Sequence, residues 1–336
     1  MYSSHHPYDA DSRFAPIDRS RNSGMRIQYI EVPLAMRCRG LRSLLMRLAG
    51  NILCPAYWLA ALFAGGPGLF FHLRCAWLGV ISLVTRRLKR GHYSLIFFPM
   101  DSTRYFEFDV AWERVRRLPF TRYLDVSSPR LLPLMLMRSN RQAIAELINP
   151  DANDIRDTER FFRALGVGER CRFSARTVEQ ASFEPSSFDL ITCISVLEHI
   201  PADGEAVERM WSLLRTGGRL VLTLPCMSRP MEQYISDNQY GVLQPGSDGY
   251  TFWQRYYDEE RLREKIYRIT GPPEHMVIFG EKTNGLFFRN ATMKRVLDGR
   301  YPFWREPYMM ATEYRFYPSL YELPGEGVMF LEFLKK

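Results

Sequence analysis

Lysine is nearly missing from a chain that is nonetheless basic: only Lys89, Lys265, Lys282, Lys294, Lys335 and Lys336 contribute to 45 basic residues and a formal charge of +8. An arginine bias of this kind follows from genomic base composition alone. The arginines are scattered rather than interleaved in stripes with aromatics, so no nucleic acid is expected as a partner. Cysteine is also scarce. Six residues (Cys38, Cys54, Cys75, Cys171, Cys193, Cys226) stand far apart without a CxxC pair or a metal-ligand spacing. That excludes a disulfide scaffold and a zinc module, and all six read as reduced thiols of a cytoplasmic protein. The chain shows no internal repeat, no Ser/Cys/His hydrolytic arrangement and no secretory signal, because the first long apolar run begins too far from Met1.

What is present is an ordinary globular composition, 46% apolar and 24% charged over 336 residues, enough for one α/β domain with additions at its ends. Residues 1–24 are polar and turn-rich and read as a disordered tail, in which His5 and His6 are a solvated pair. Residues 25–91 form an apolar and basic helical segment. From Leu48 to Phe71 no residue is charged, a run of 24. A bilayer crossing needs about 20 residues, but Pro55 and Gly65-Gly-Pro-Gly68 interrupt this one. Two shorter helices, the second over Cys75 to Val84, with arginines outside both ends, suit a re-entrant or interfacial hairpin whose termini stay on the inner membrane face. A helical cap packed on the domain, or on a second copy in a homodimer, is the other reading.

Residues 92–336 make the main domain, with its core at 118–226 and a substrate-side insertion and last strands in 227–336. Its organising stretch is Phe188-Asp-Leu-Ile-Thr-Cys-Ile-Ser-Val-Leu-Glu-His-Ile200. Leu190 to Val196 is too short and too β-branched for a helix and reads as a strand buried on both faces. A helix follows, with Ala206, Val207, Met210, Trp211 and Leu214 on one face. Gly217-Gly218 ends it before a second buried strand, Leu220-Val-Leu-Thr-Leu224. This strand, helix and strand resemble the fourth strand, fourth helix and fifth strand of class I S-adenosylmethionine-dependent methyltransferases. The resemblance covers about Thr121 to Cys226. It implies a seven-stranded, mostly parallel Rossmann-like sheet with helices on both faces, and S-adenosylmethionine as cofactor.

The resemblance assigns cofactor contacts position by position. Asp125 falls at the acidic position after the first strand, facing the methionine ammonium. Ser127, Ser128 and Pro129 stand where the family carries glycines, and the serine hydroxyls can bond the cofactor carboxylate. Asn149 replaces the carboxylate that takes the ribose hydroxyls, with Asp151 two residues on. Thr177 lies at the adenine-contacting position, and Ser195 closes the fourth strand. A helix is expected from Asp154, its cap, to Gly166. Three altered contacts on an intact scaffold mean either a subfamily with its own cofactor geometry or a fold whose chemistry has lapsed.

Methyl transfer to a hydroxyl needs a base, and His199 has the pKa range for it, with Glu198 to orient it or to touch the acceptor. Bracing of the following helix is the competing role for both. Arg104 and Tyr105, set among aromatics ahead of the domain, and Arg255 with Tyr256, in a Tyr- and Trp-rich stretch after the fifth strand, are the candidate substrate contacts. The acceptor class these imply is a small molecule, a glycan or a lipid-linked intermediate.

Overall fold

The structure, a computed structural model, describes residues 17–18, 25–30, 41–88, 91–236, 243–296 and 303–336. The tail expected over 1–24, with His5 and His6, lies outside the described residues except for Ile17 and Asp18. The chain runs β1 (Ile17–Asp18), β2 (Arg26–Ile30), α1 (Leu41–Phe63), α2 (Leu69–Val84), α3 (His92–Phe97), α4 (Arg104–Val115), β3 (Arg122–Val126) and α5 (Leu131–Ser139). It continues through β4 (Ile144–Ile148), α6 (Ala152–Ala164), β5 (Cys171–Ser174), β6 (Phe188–Ile194), α7 (Asp203–Leu213) and β7 (Leu214–Cys226). Strands β8 (Met231–Ile235), β9 (Thr251–Tyr256), β10 (His275–Glu281), β11 (Tyr314–Tyr317) and β12 (Gly327–Leu334) complete it, with helices between the last ones.

Continuous apolar runs without a helical period become the central strands, and all seven residues of β6 are buried. The main sheet has the order β11-β10-β12-β7-β6-β3-β4-β5, with β7, β6, β3, β4 and β5 mutually parallel. It therefore has eight strands, not seven: β11 adds an edge by pairing antiparallel with β10. The order reverses between β3 and β6, which lie side by side with Tyr123 opposite Leu190 and Asp125 opposite Thr192. A crevice at the carboxyl ends of strands is expected at such a reversal. Two apolar cores lie on the sheet's faces, one holding Leu132, Phe162 and Phe330, the other Ile191, Val207 and Phe333.

Local signals were displaced by a few residues. Helix α6 starts at Ala152, capped by Asp151, which accepts from the amides of Asn153 and Asp154. Asp154 is thus in the first turn rather than at the cap. Strand β7 begins at Leu214, and Gly217 turns within it at φ 78° rather than standing between helix and strand. The aromatic stretch after β7 makes β8 and β9, and these form a second sheet, β1-β2-β8-β9, with the amino-terminal strands. From Phe303 the chain makes a short helical turn leading into the helix Glu306–Glu313.

Helices α1 and α2 pack by one face each. His72 reaches Tyr105 Oη at 3.0 Å and the Ile96 carbonyl at 3.0 Å, and Gly68 lies directly on the Tyr105 backbone. Among the described residues no helix is long and apolar enough to cross a membrane.

Candidate active site

The carboxyl ends of β3 and β6 both leave their strands through a left-handed residue. Ser127 has φ 53° and Ser195 φ 47°, a conformation that glycine adopts at no steric cost and serine does not. Serine at position 127 thus does the turning expected of the first glycine of a cofactor loop. The Ser127 hydroxyl donates to the Ile148 carbonyl at 3.1 Å, and the Ser128 hydroxyl accepts from the Ile194 amide at 3.1 Å. These bonds tie β3 to β4 and β6.

Asp125 is buried beneath this loop. It accepts from Tyr123 Oη (3.1 Å), Thr192 Oγ1 (2.8 Å) and the Ser128 amide (3.1 Å). Burial raises its pKa to about 6 against these donors, which hold it down. The carboxylate expected to meet the methionine ammonium is therefore turned into the β3–β6 seam.

The ribose and adenine positions are likewise committed. Asn149 donates to Asp154 at 2.8 Å and accepts from the Asp151 amide at 2.9 Å, while Asp151 caps α6. Thr177 forms a local turn with Gln180. None of the three lines either of the cavities described below.

Helix α4 reaches over the tips of β6 and β7. Its Glu107 accepts from Ser195 Oγ in a very short bond, from Thr223 Oγ1 at 3.1 Å and from Arg104 at 2.8 Å. Arg104 and Glu107 thus tie α4 to the sheet. The tie runs to strand tips more than eighty residues on, a contact no local spacing encodes.

Beside it opens a cavity of about 350 Å³, lined among others by Arg104, Glu107, Glu198, His199, Trp253 and Tyr256. Glu198 is buried, and its Oε2 has no hydrogen-bond partner. Burial, with the charge of Glu107 adding, pushes its carboxyl up to about 8 despite Arg104 and Arg255. The group is protonated at neutral pH. His199 Nδ1 lies 2.5 Å from the Trp253 carbonyl, and Nε2 lies 3.8 Å from Glu198. Burial lowers its pKa to about 4, so the ring is neutral, and the carbonyl fixes the proton on Nδ1. Its Nε2 is then a lone pair on the Glu198 side.

Tyr256 lines the cavity, with its hydroxyl on Glu326 at 2.7 Å. Glu326, raised by burial to about 7, was not foreseen. It precedes β12, which runs antiparallel to β7, so the start of that strand lies beside β7's end. Neither Arg255 nor Tyr105 lines either cavity. Arg255 is buried, donating to the Ile200 and Pro201 carbonyls and pairing with Asp203 at 3.1 Å, so it braces the loop after β6. Tyr105 faces His72 and seats α2. A second cavity, of about 260 Å³, lies on the other side of Arg104 against Pro129, Arg130 and Phe161.

A family model described as a methyltransferase domain matches residues 135–222. Over 61 residues the chain is 36% identical to a ubiquinone biosynthesis O-methyltransferase of Xanthomonas euvesicatoria pv. vesicatoria (strain 85-10), covering 18% of this chain and 26% of that protein. Over 61 residues it is 33% identical to the protein of the same name from Aeromonas salmonicida (strain A449), with the same coverage. The chain spans about a quarter of the length of these curated relatives. A solved geranyl diphosphate methyltransferase in complex with S-adenosylmethionine aligns at a TM-score of 0.46 and 13% identity, over 74% of this chain and 92% of that one. S-adenosylmethionine is the cofactor of this family. The strand order and the matched segment together identify the doubly wound half of the chain as a class I S-adenosylmethionine-dependent methyltransferase fold.

Proposed function

We propose that the chain transfers the methyl group of S-adenosylmethionine to a small-molecule acceptor held in the Glu198 cavity. The observation that carries this reading is Glu198 itself, a buried carboxyl just past the tip of a central parallel strand, which lines a ligand-sized cavity and has one oxygen without a hydrogen-bond partner. When bound, S-adenosylmethionine supplies an electrophilic methyl on a positively charged sulfur. The crevice fits such a group at its β6 side, where Arg104 can meet a carboxylate and Glu198 a cation. On its β3 side the backbone of Ser127 to Arg130 is what remains to hold it, because Asp125, Asn149, Asp151 and Thr177 are engaged elsewhere.

His199, neutral and fixed by the Trp253 carbonyl, accepts the acceptor's proton at Nε2. Glu198 answers the charge that this leaves on the ring. A cation entering beside Glu198 favours its ionised form, so binding releases a proton, and affinity rises with pH up to about 8. The aromatic wall from β9 suits an acceptor bearing a ring or an apolar chain, which agrees with a small molecule, a glycan or a lipid-linked intermediate.

Calorimetric titration in buffers of different ionisation enthalpy tests the reading. S-adenosylmethionine should bind with proton release, and the neutral thioether S-adenosylhomocysteine should bind without it. Glu198→Gln should lose the difference. Absence of heat with either ligand would favour the second reading, a fold kept as a scaffold. The engaged side chains along β3 and β4 and the position of Glu107 support that alternative.

A further inference from the structure

Helices α1 and α2 invert the usual arrangement of a surface helix. Their outward faces carry thirteen of the eighteen large apolar side chains that stand exposed among the described residues, all between Leu45 and Val84. Ile52 is 78% exposed, Phe63 83%, Trp77 66% and Val84 76%. Their spacing follows the helical period: in α2, Phe70, Leu73, Trp77, Val80 and Val84 recur every three or four residues on the side opposite Phe71, Cys75 and Leu78, which are buried. An apolar patch of this extent marks an interaction surface.

Charge decides what it meets. From Val32 to Met100 there are nine arginines and lysines and not one aspartate or glutamate. Arg74, Arg86 and Arg87 are exposed. Two copies joined through this face would set cations of one sign against each other without an acidic partner on either helix. A surface with an apolar interior and anionic headgroups matches both features.

We propose that the outward face of α1 and α2 docks in the plane of an anionic lipid bilayer, the helices lying in the headgroup layer without crossing it. Docking there sets the mouth of the crevice at the membrane. Helix α3 packs on α2, where a side chain at Gly79 would meet Ile96 at 2.8 Å. Gly91 and α3 line the smaller cavity, and the residues that follow, Asp101 to Arg104, line the larger. The inference is independent of methyl transfer and holds for a scaffold as well.

Flotation of the full chain with phosphatidylcholine vesicles, with and without phosphatidylglycerol, tests it. The protein should float with the anionic vesicles. Phe63→Ser and Trp77→Ser should each lower partitioning about tenfold or more, and Arg86→Gln and Arg87→Gln about fivefold each, with loss of the anionic preference. Brominated lipid should quench tryptophan emission in the wild type, and Trp77→Phe should remove most of that quenching; this readout needs no disruptive variant. A protein that stays off both vesicle types overturns the proposal. If it is then a dimer that Trp77→Ser dissolves, a second copy covers the face. If it is a monomer, another part of the chain does.

Discussion

The tips of β3 and β6 stand side by side, leave their strands through the same left-handed serine turn, and do opposite things with their carboxylates. At β3, Asp125 is buried and accepts three hydrogen bonds from its own sheet and loop. At β6, Glu198 keeps a buried oxygen without a partner beside a cavity. Both pKa values are raised, Asp125 to about 6 and Glu198 to about 8, and burial is the leading cause in each. The difference lies in the compensation: side-chain and backbone donors hold Asp125 down, while Glu198 has its own backbone amide and the charges of Arg104 and Arg255. One tip of the crevice is tied into the sheet, and the other keeps a buried carboxyl oxygen unpaired.

The largest effect should come from cutting the closed tip. Asp125→Ala removes the acceptor of three buried donors, of which the Tyr123 and Thr192 hydroxyls, 2.6 Å apart, can satisfy only one by pairing with each other, and should cost about 3–5 kcal/mol in urea unfolding. Asp125→Asn, which keeps an acceptor, should cost less than half of that.

At the open tip the sign reverses with pH. Between about 4.5 and about 8 the folded chain holds a proton on Glu198 that the unfolded chain releases, so this group's contribution to stability falls as pH rises through that window. Glu198→Gln should remove the fall and be the more stable protein above pH 8, by a few kcal/mol as an order of magnitude. Equal pH profiles for the two proteins would show that Glu198 is not buried as described.

Smaller still is the coupling between neighbours. Glu107→Gln removes a negative charge that raises Glu198, so the wild-type inflection should move to lower pH, measured as the pH dependence of the melting temperature. The smallest effect is expected at the β3 turn. Ser127→Gly relieves a left-handed serine and gives up one hydroxyl bond to Ile148, and the two should offset to within about 1 kcal/mol.

Much of the sheet was legible in sequence because its strands are coded locally. Leu190 to Ile194 is apolar on both sides of its pleat, and only a position between two neighbours in a parallel sheet satisfies that. The placing of Glu198 and His199 at a strand's end followed from the same run, while Ser127, Ser128 and Ser195 were placed by the methyltransferase resemblance. What those side chains bond to did not follow. Asp125 was read as a ligand contact because its position was visible, and Tyr123 and Thr192, whose hydroxyls occupy it, looked like strand residues. Arg255 was read as a substrate contact from its aromatic neighbours, but the carbonyls of Ile200 and Pro201 that hold it come from a segment over fifty residues away.

Sequence by itself determined that this chain folds around a doubly wound parallel sheet, and that an apolar, acid-poor stretch precedes it. Burial of continuous β-branched runs leaves few other architectures, and charge is countable without coordinates. Tertiary structure alone decided which polar groups at the crevice are spent and which are open, and which face of α1 and α2 looks outward. A hydrogen bond or a buried face needs a partner, and here the partners come from chain segments too distant for any spacing rule to connect.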